Sequence, residues 1–198
     1  MKVIGLTGLA GSGKSYISTI LREDFGYTVI DSDSVTKELF VPGESLYEDY
    51  IRILGSDILS ESGEIDKKKA AAKIFASDEI RKEINKCAHP ATINEIKRRI
   101  RAAQERGESL VFVESAIARS SGYDDMCDEY WFVECPEEER RRRLKEIRGY
   151  SDEKIDSIFR TQANELGLIC GSDCVIVNNY KATREELKER ILFDLLKP

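Results

Sequence analysis

Gly8-Leu-Ala-Gly-Ser-Gly-Lys-Ser15 sits between an apolar stretch, Val3-Ile-Gly-Leu-Thr7, and a stretch of helical periodicity over 14–25. The spacing is G-x-x-x-x-G-K-[ST], and a loop of that pattern between a strand and a helix binds phosphate. The reason lies in the residue types. Gly8, Gly11 and Gly13 permit backbone angles that a Cβ forbids. The amides of Gly8, Ala10, Gly11, Ser12, Gly13, Lys14, Ser15 and Tyr16 are then expected to line an anion nest. The helix opening at Lys14 adds about half a positive charge at its N-terminus. Lys14 is expected to reach the β- and γ-phosphates of ATP, and the Ser15 hydroxyl to bind Mg2+. The dinucleotide pattern G-x-G-x-x-G is absent, because Gly11-Ser-Gly13 is followed by Lys14-Ser-Tyr16.

Working outward, composition excludes several classes. The chain has 198 residues, 31 Lys plus Arg against 37 Asp plus Glu, and a net charge of −6. At 41% apolar and 34% charged it is too apolar for a disordered chain. Its length suits one domain, or one core with a sizeable insertion. No run of 18 apolar residues exists, and the apolar run at the N-terminus is too short for a secretory signal. An acidic balance argues against nucleic acid as a partner. The expected partners are small-molecule substrates, with no nucleic acid and no membrane, for a monomer or weak homo-oligomer. The 5 cysteines include no Cys-x-x-Cys, so reduced thiols in the cytoplasm are expected rather than zinc or disulfides.

Short apolar runs predict strands at 3–7, 28–30, 110–113, 130–135 and 174–177. Helical patterns fall at 14–25, 33–40, 46–54, 67–75, 79–87, 91–106, 137–147, 152–168 and 184–196. Ser151 and the Thr183-Arg-Glu-Glu186 capping box mark two helix starts. Strands alternating with helices imply an α/β fold with a parallel sheet covered on both faces. The core is expected over 1–33, 108–136 and 170–198. A helical insertion over about 34–107 is a natural acceptor pocket, and a charged helical pair over about 137–169 suggests a lid.

Four further features bear on chemistry. Asp31-Ser-Asp33 follows the second strand, where ligands sit in parallel sheets. A carboxylate there can accept a hydroxyl proton during phosphoryl transfer, or Asp33 can simply cap the next helix. Glu114 ends the third strand and is either a metal partner acting through water or a polar residue at a strand exit. Glu137-Glu-Glu-Arg-Arg-Arg-Arg143 pairs Glu137/Arg141, Glu138/Arg142 and Glu139/Arg143 at spacing four, as a solvated face would. One or two of Arg140, Arg143, Arg148 and Arg160 are expected at the nucleotide, where transferring charge needs a cation. His89-Pro90 lies between two helical segments, as a structural residue or at a ligand-facing corner.

Taken together, these stretches resemble the dephospho-coenzyme A kinase family over nearly the whole chain. The matching segments are 4–15, Val29-Ile-Asp-Ser-Asp33, Val41-Pro-Gly43, and Ile58-Leu-Ser-Glu-Ser-Gly-Glu-Ile-Asp66. His89-Pro-Ala-Thr-Ile93, Gln162 and Ser172-Asp-Cys-Val-Ile-Val-Asn178 complete the set. The resemblance implies a P-loop NTPase fold: a three-layer α/β/α core on a five-stranded parallel sheet, with a helical acceptor-binding insertion and a helical lid. It implies ATP- and Mg2+-dependent phosphorylation of the ribose 3′-hydroxyl of dephospho-coenzyme A. Asp33 is the implied general base, Asp31 and His89 belong to the acceptor site, and Asn178 lies near the adenine end of ATP. Two departures stand out. Ala116-Ile-Ala-Arg-Ser120 replaces the family's Pro-Leu-Leu-Phe-Glu, and Ile147 aligns with the lid arginine. Arg148, rotated by about 100° if the helix continues, or Arg143 is expected to substitute. Other readings remain open: another nucleoside, nucleotide or small-molecule kinase, or a nucleotide-binding paralogue without turnover.

Overall fold

In this computed structural model residues 1–115, 125–162 and 171–197 are described. Five strands form one parallel sheet in the order β2-β3-β1-β4-β5. They are β1 (Lys2–Thr7), β2 (Thr28–Asp31), β3 (Leu110–Glu114), β4 (Glu129–Glu134) and β5 (Cys174–Val177). The helices are α1 (Lys14–Glu23), α2 (Ser32–Glu38), α3 (Tyr47–Leu54), α4 (Lys67–Ala76), α5 (Asp78–Glu105), α6 (Glu137–Glu146), α7 (Asp152–Gln162) and α8 (Arg184–Leu195). This is the α/β P-loop architecture that the sequence implies.

The chain divides into two compact units. One comprises Met1–Ile30 with Ala103–Pro198, the other Asp31–Ala102. In the first, alternate residues of the strands bury both faces of the sheet. Ile4 and Leu6 of β1 join Phe112, Trp131, Val133 and Ile176 in one cluster. Ile17, Ile20 and Leu21 of α1 and Leu187 and Ile191 of α8 pack onto it, at the spacings of three and four that make one helical face. Phe112 and Trp131 meet edge to face at 5.5 Å. Val3, Val111, Val113 and Phe132 are buried on the opposite side of the pleat. The capping box at α8 forms: Thr183 Oγ1 accepts from Glu186 N–H, and Glu186 Oε2 accepts from Thr183 N–H.

In the second unit Leu39, Leu46, Tyr50, Leu54, Ile58, Ala70, Ile84 and Ala88 make a separate core. The Gly63-Glu-Ile-Asp66 stretch shows its structural use here. Leu59 and Ile65 form an isolated bridge around a tight turn, and Asp66 caps α4 by accepting from the Lys68 and Lys69 amides. One expectation is overturned. The two segments flanking His89-Pro90 are a single 28-residue helix with Pro90 inside it. Proline removes one helical hydrogen bond and crowds the preceding turn. The stripe Ile84, Ala88, Thr92 and Ile96, buried at every fourth residue, holds the helix on both sides of that defect.

Ile20 is fully buried between α1 and the sheet. Ile20→Ala is expected to lower stability by about 2–5 kcal/mol in a urea titration.

Candidate active site

The phosphate loop leaves β1 at Thr7 and enters α1 at Lys14. Gly11 has φ +80° and Gly13 φ +92°, both in the left-handed region. Space makes the second requirement stricter: a Cβ on Gly13 would lie 2.2 Å from Asn178 Nδ2, and one on Gly11 would lie 2.7 Å from the Arg140 carbonyl oxygen. Two other segments therefore press directly on the loop. The amide of Asn178 donates to the Glu134 carbonyl, continuing the β4–β5 ladder by one residue. That register carries its side chain to the loop, where Nδ2 donates to the Ser12 carbonyl at 2.8 Å. From α6, Arg143 Nη1 donates to the same carbonyl at 3.1 Å and Nη2 to the Asn178 carbonyl at 3.1 Å.

Arg143 is held in turn by Glu139, whose Oε1 accepts from its Nε at 2.9 Å. Glu139 also accepts a two-pronged contact from Arg142. Hydrogen bonds from Arg142 and then Arg143 hold the Glu139 carboxyl down at about 2, against a usual 4.5. Arg140 is 6% exposed. Its guanidinium lies 4.5 Å over the Phe159 ring and reaches the Ala10 carbonyl at 3.5 Å, with a loose 3.9 Å contact to Glu137. Its Nε has no hydrogen-bond partner among the described residues, and burial pulls the group below the ordinary guanidinium range.

At the start of α1, Ser15 Oγ donates to Glu114 Oε1 at 3.0 Å and Ser18 Oγ to Oε2 at 2.6 Å. Glu114 ends β3 and is 8% exposed. Lys14 Nζ donates to the Gly8 carbonyl at 2.7 Å, so its ammonium lies folded back along the loop. In the second unit Asp31, the last residue of β2, accepts from the amides of Asp33 and Ser34 and from Ser34 Oγ. Asp31 is thus the cap of α2. Asp33 stands exposed in the first helical turn, and its carboxylate makes no hydrogen bond or ion pair among the described residues.

The family model for dephospho-CoA kinase matches residues 2–184. The chain belongs to the dephospho-CoA kinase family. Among its relatives, the dephospho-CoA kinase of Geobacillus kaustophilus is 33% identical over 96% of this chain and 92% of its own. That of Carboxydothermus hydrogenoformans is 31% identical over 94% and 91%. Of the solved structures, TT1252 from Thermus thermophilus has a TM-score of 0.82 at 27% identity, covering 98% of this chain and 96% of its own. A shikimate kinase from Bacteroides thetaiotaomicron shares the fold alone, at TM-score 0.57 and 16% identity, over 98% of both chains. The family's reaction is ATP-dependent phosphorylation of dephospho-CoA, a transfer to an alcohol and the last step of coenzyme A synthesis.

Against that family pattern, several sequence expectations change. Asn178, which the resemblance puts near the adenine end of ATP, donates its side-chain amide to the loop. It is 3% exposed because it fills the space beside Gly13. Arg143 was a candidate for phosphate contact, and three of its N–H groups are engaged as a clamp. α6 ends at Glu146, and Ile147, its C-cap, and Arg148 follow before a left-handed Gly149, with i→i−4 bonds from Ile147 to Arg143 and from Gly149 to Lys145. Arg148 is exposed without a partner among the described residues, and Ile147 is 75% exposed. Asp33 is not the helix cap, because α2 starts two residues earlier, with Asp31 extended before it and accepting from the Asp33 and Ser34 amides. Of the three Glu–Arg pairs only Glu139/Arg143 forms; Arg141 turns to Asp156, and Arg142 to Glu139 and Glu146. His89 is half-buried within α5 and makes no contact with a charged partner among the described residues. Tyr16 N–H is used by the Gly13 carbonyl and Ser12 N–H by the Leu9 carbonyl. The segment Ala116-Ile-Ala-Arg-Ser120 and residues 163–170, including the end of the expected helix and Cys170, lie outside the described residues.

The sequence reading missed Ser18. Its signal was available, since it lies one turn after Ser15 on the same helical face, among apolar neighbours that bury it.

Gly13→Ala is expected to weaken ATP binding by at least about tenfold in calorimetric titration, through both the left-handed backbone and the overlap with Asn178. Glu139 has a depressed carboxyl, so its stabilising share is complete above about 4.5 and is lost as pH falls toward about 2. The melting-temperature advantage of the wild type over Glu139→Gln is therefore expected to shrink across that interval.

Proposed function

We propose that this chain phosphorylates the ribose 3′-hydroxyl of dephospho-CoA with Asp33 as general base and the loop of residues 8–15 as the ATP cradle. The observation that supports the reading is the Ser15–Glu114 contact at 3.0 Å, in which the Ser15 hydroxyl of the loop donates to a buried carboxylate. The donor set of hydroxyl and carboxylate oxygens suits Mg2+, a hard cation that keeps several waters and takes few protein ligands. Among the described residues no cluster of three His, Cys, Asp or Glu competes for this role. Ser15 would hold the ion directly and Glu114 would orient Ser15. The bound ion supplies charge neutralisation on the β- and γ-phosphates.

The chain's own groups account for the remaining steps. The Gly11, Gly13 and Ser15 amides donate to no described residue, which leaves them for phosphate oxygens. Lys14 exchanges its Gly8 carbonyl contact for the terminal phosphates. As the acceptor oxygen attacks the γ-phosphorus, the Asp33 carboxylate takes the hydroxyl proton and ADP departs. That Asp31 does the capping is what leaves Asp33 available. Arg148, exposed beyond α6, is the lid cation proposed to meet the transferring charge, while Arg143 positions the loop. Asp31 and His89 belong to the acceptor side in this reading. Cys87, Cys127, Cys135 and Cys174 stand outside any disulfide, which suits a cytoplasmic enzyme.

Lys14→Ala is expected to cut turnover with ATP and dephospho-CoA by about 10²–10³-fold with the circular dichroism spectrum unchanged. Asp33→Asn is expected to cut it by about 10²–10⁴-fold while ATP affinity holds. Undiminished turnover in a folded Asp33→Asn protein would remove the general-base role. Faster turnover with another nucleoside or with shikimate than with dephospho-CoA would overturn the acceptor.

A further inference from the structure

The amides of the phosphate loop fall into three groups. Ser12 and Tyr16 donate to carbonyls of the loop itself, each at 3.0 Å. Gly11, Gly13 and Ser15 donate to no described residue. Ala10 differs: its N–H donates to Gln162 Oε1 at 2.9 Å, a side chain 152 residues away on the last turn of α7.

The sense of this bond differs from that of three other side-chain contacts on the loop among the described residues. Asn178, Arg143 and Arg140 all donate to loop carbonyls. A loop that turns its N–H groups toward an anion turns its carbonyls away from it. Those three contacts are therefore compatible with a bound nucleotide. Gln162 instead supplies an acceptor oxygen to an amide, which is the place a phosphate oxygen takes. One N–H cannot donate fully to both, and a charged phosphate oxygen is the stronger acceptor.

The rest of α7 is tied elsewhere. Asp156 pairs with Arg141, Asp152 with Lys145, and Phe159 lies beneath Arg140 and Arg141. All of these precede Gln162 and link α7 to α6. The contact at Ala10 is the hydrogen bond that ties the end of α7 to the loop.

We propose that Gln162 is a latch on the nucleotide site: its side-chain carbonyl stands in for a polyphosphate oxygen on the Ala10 amide, and an incoming nucleoside triphosphate displaces it and frees the end of α7. The proposal rests on the reading of residues 8–15 as the ATP cradle and adds a competitor built into the same chain. α6 keeps its clamp on the carbonyl side throughout, so occupancy of the loop is reported to α7 alone.

The test is equilibrium binding of a non-hydrolysable ATP analogue and of adenosine to the full chain and its variants. Removing the acceptor in Gln162→Ala is expected to tighten the analogue by about two- to tenfold, the range a neutral hydrogen bond spans, and to leave adenosine unchanged. Gln162→Leu keeps the side chain's bulk and is expected to repeat the gain, which guards against loosened packing in the alanine variant. Gln162→Glu places a charged acceptor on the same amide and is expected to weaken the analogue. A merely structural glutamine would not move the two kinds of variant in opposite directions. Equal analogue affinity across the wild type, Gln162→Ala and Gln162→Leu, or weaker binding in both apolar variants, overturns the latch. Failure of the wild type itself to bind the analogue overturns instead the phosphate-loop reading beneath it.

Discussion

Three side-chain donors from outside the loop converge on the carbonyls of Ala10 and Ser12: Asn178 at 2.8 Å, Arg143 at 3.1 Å and Arg140 at 3.5 Å. A glycine-rich loop has few contacts of its own and loses much conformational freedom on ordering. Holding its carbonyls from behind fixes the direction of its amides, at about 0.5–1.5 kcal/mol for the neutral Asn178 bond and about 1.5–3 kcal/mol for a bond from a guanidinium. Glu139 extends the arrangement by one layer. It is tied to both Arg142 and Arg143, so the clamp is itself clamped.

The same constraint explains how labour is divided among the arginines of α6. A buried guanidinium needs carbonyls, carboxylates or an aromatic face. Arg140 and Arg143 find these at the loop, at Glu139 and over Phe159, and are used in architecture. Arg141 takes the exposed carboxylate of Asp156, where an ion pair contributes little, while Arg142 divides between buried Glu139 and exposed Glu146. Arg148, beyond the helix, and Arg160, in α7, are exposed and make no hydrogen bond or ion pair among the described residues. In the second unit the logic repeats with acids: Asp31 is consumed by helix capping, and its neighbour two residues on is left with a free carboxylate.

Much of this was legible in the order of residues. Short apolar runs placed all five strands within a residue of their observed ends. Periodicity placed most of the helices, and the capping box at Thr183 was readable as written. Pro90 was misread because a local rule, that proline stops a helix, met a nonlocal one. A buried stripe on both sides outweighs the loss of a single hydrogen bond. The arginine run was misread for a related reason, since spacing of four lists possible partners without ranking those that come from other elements.

The sequence by itself determined the chemistry of the loop: which amides, which lysine and which serine stand together is set by eight consecutive residues, because turn, helix start and side chains are all local. It also determined that Asp31 and Asp33 share one turn. Only the tertiary structure decided what each long-range group is for. Asn178 became a brace, Arg143 a clamp and Glu114 the partner of Ser15 and Ser18, because those roles depend on the β4–β5 register, on where α6 comes to rest and on the β1–β3 pairing beneath α1. Distances across more than a hundred residues of chain follow from packing, and packing is a property of the whole core rather than of any one segment.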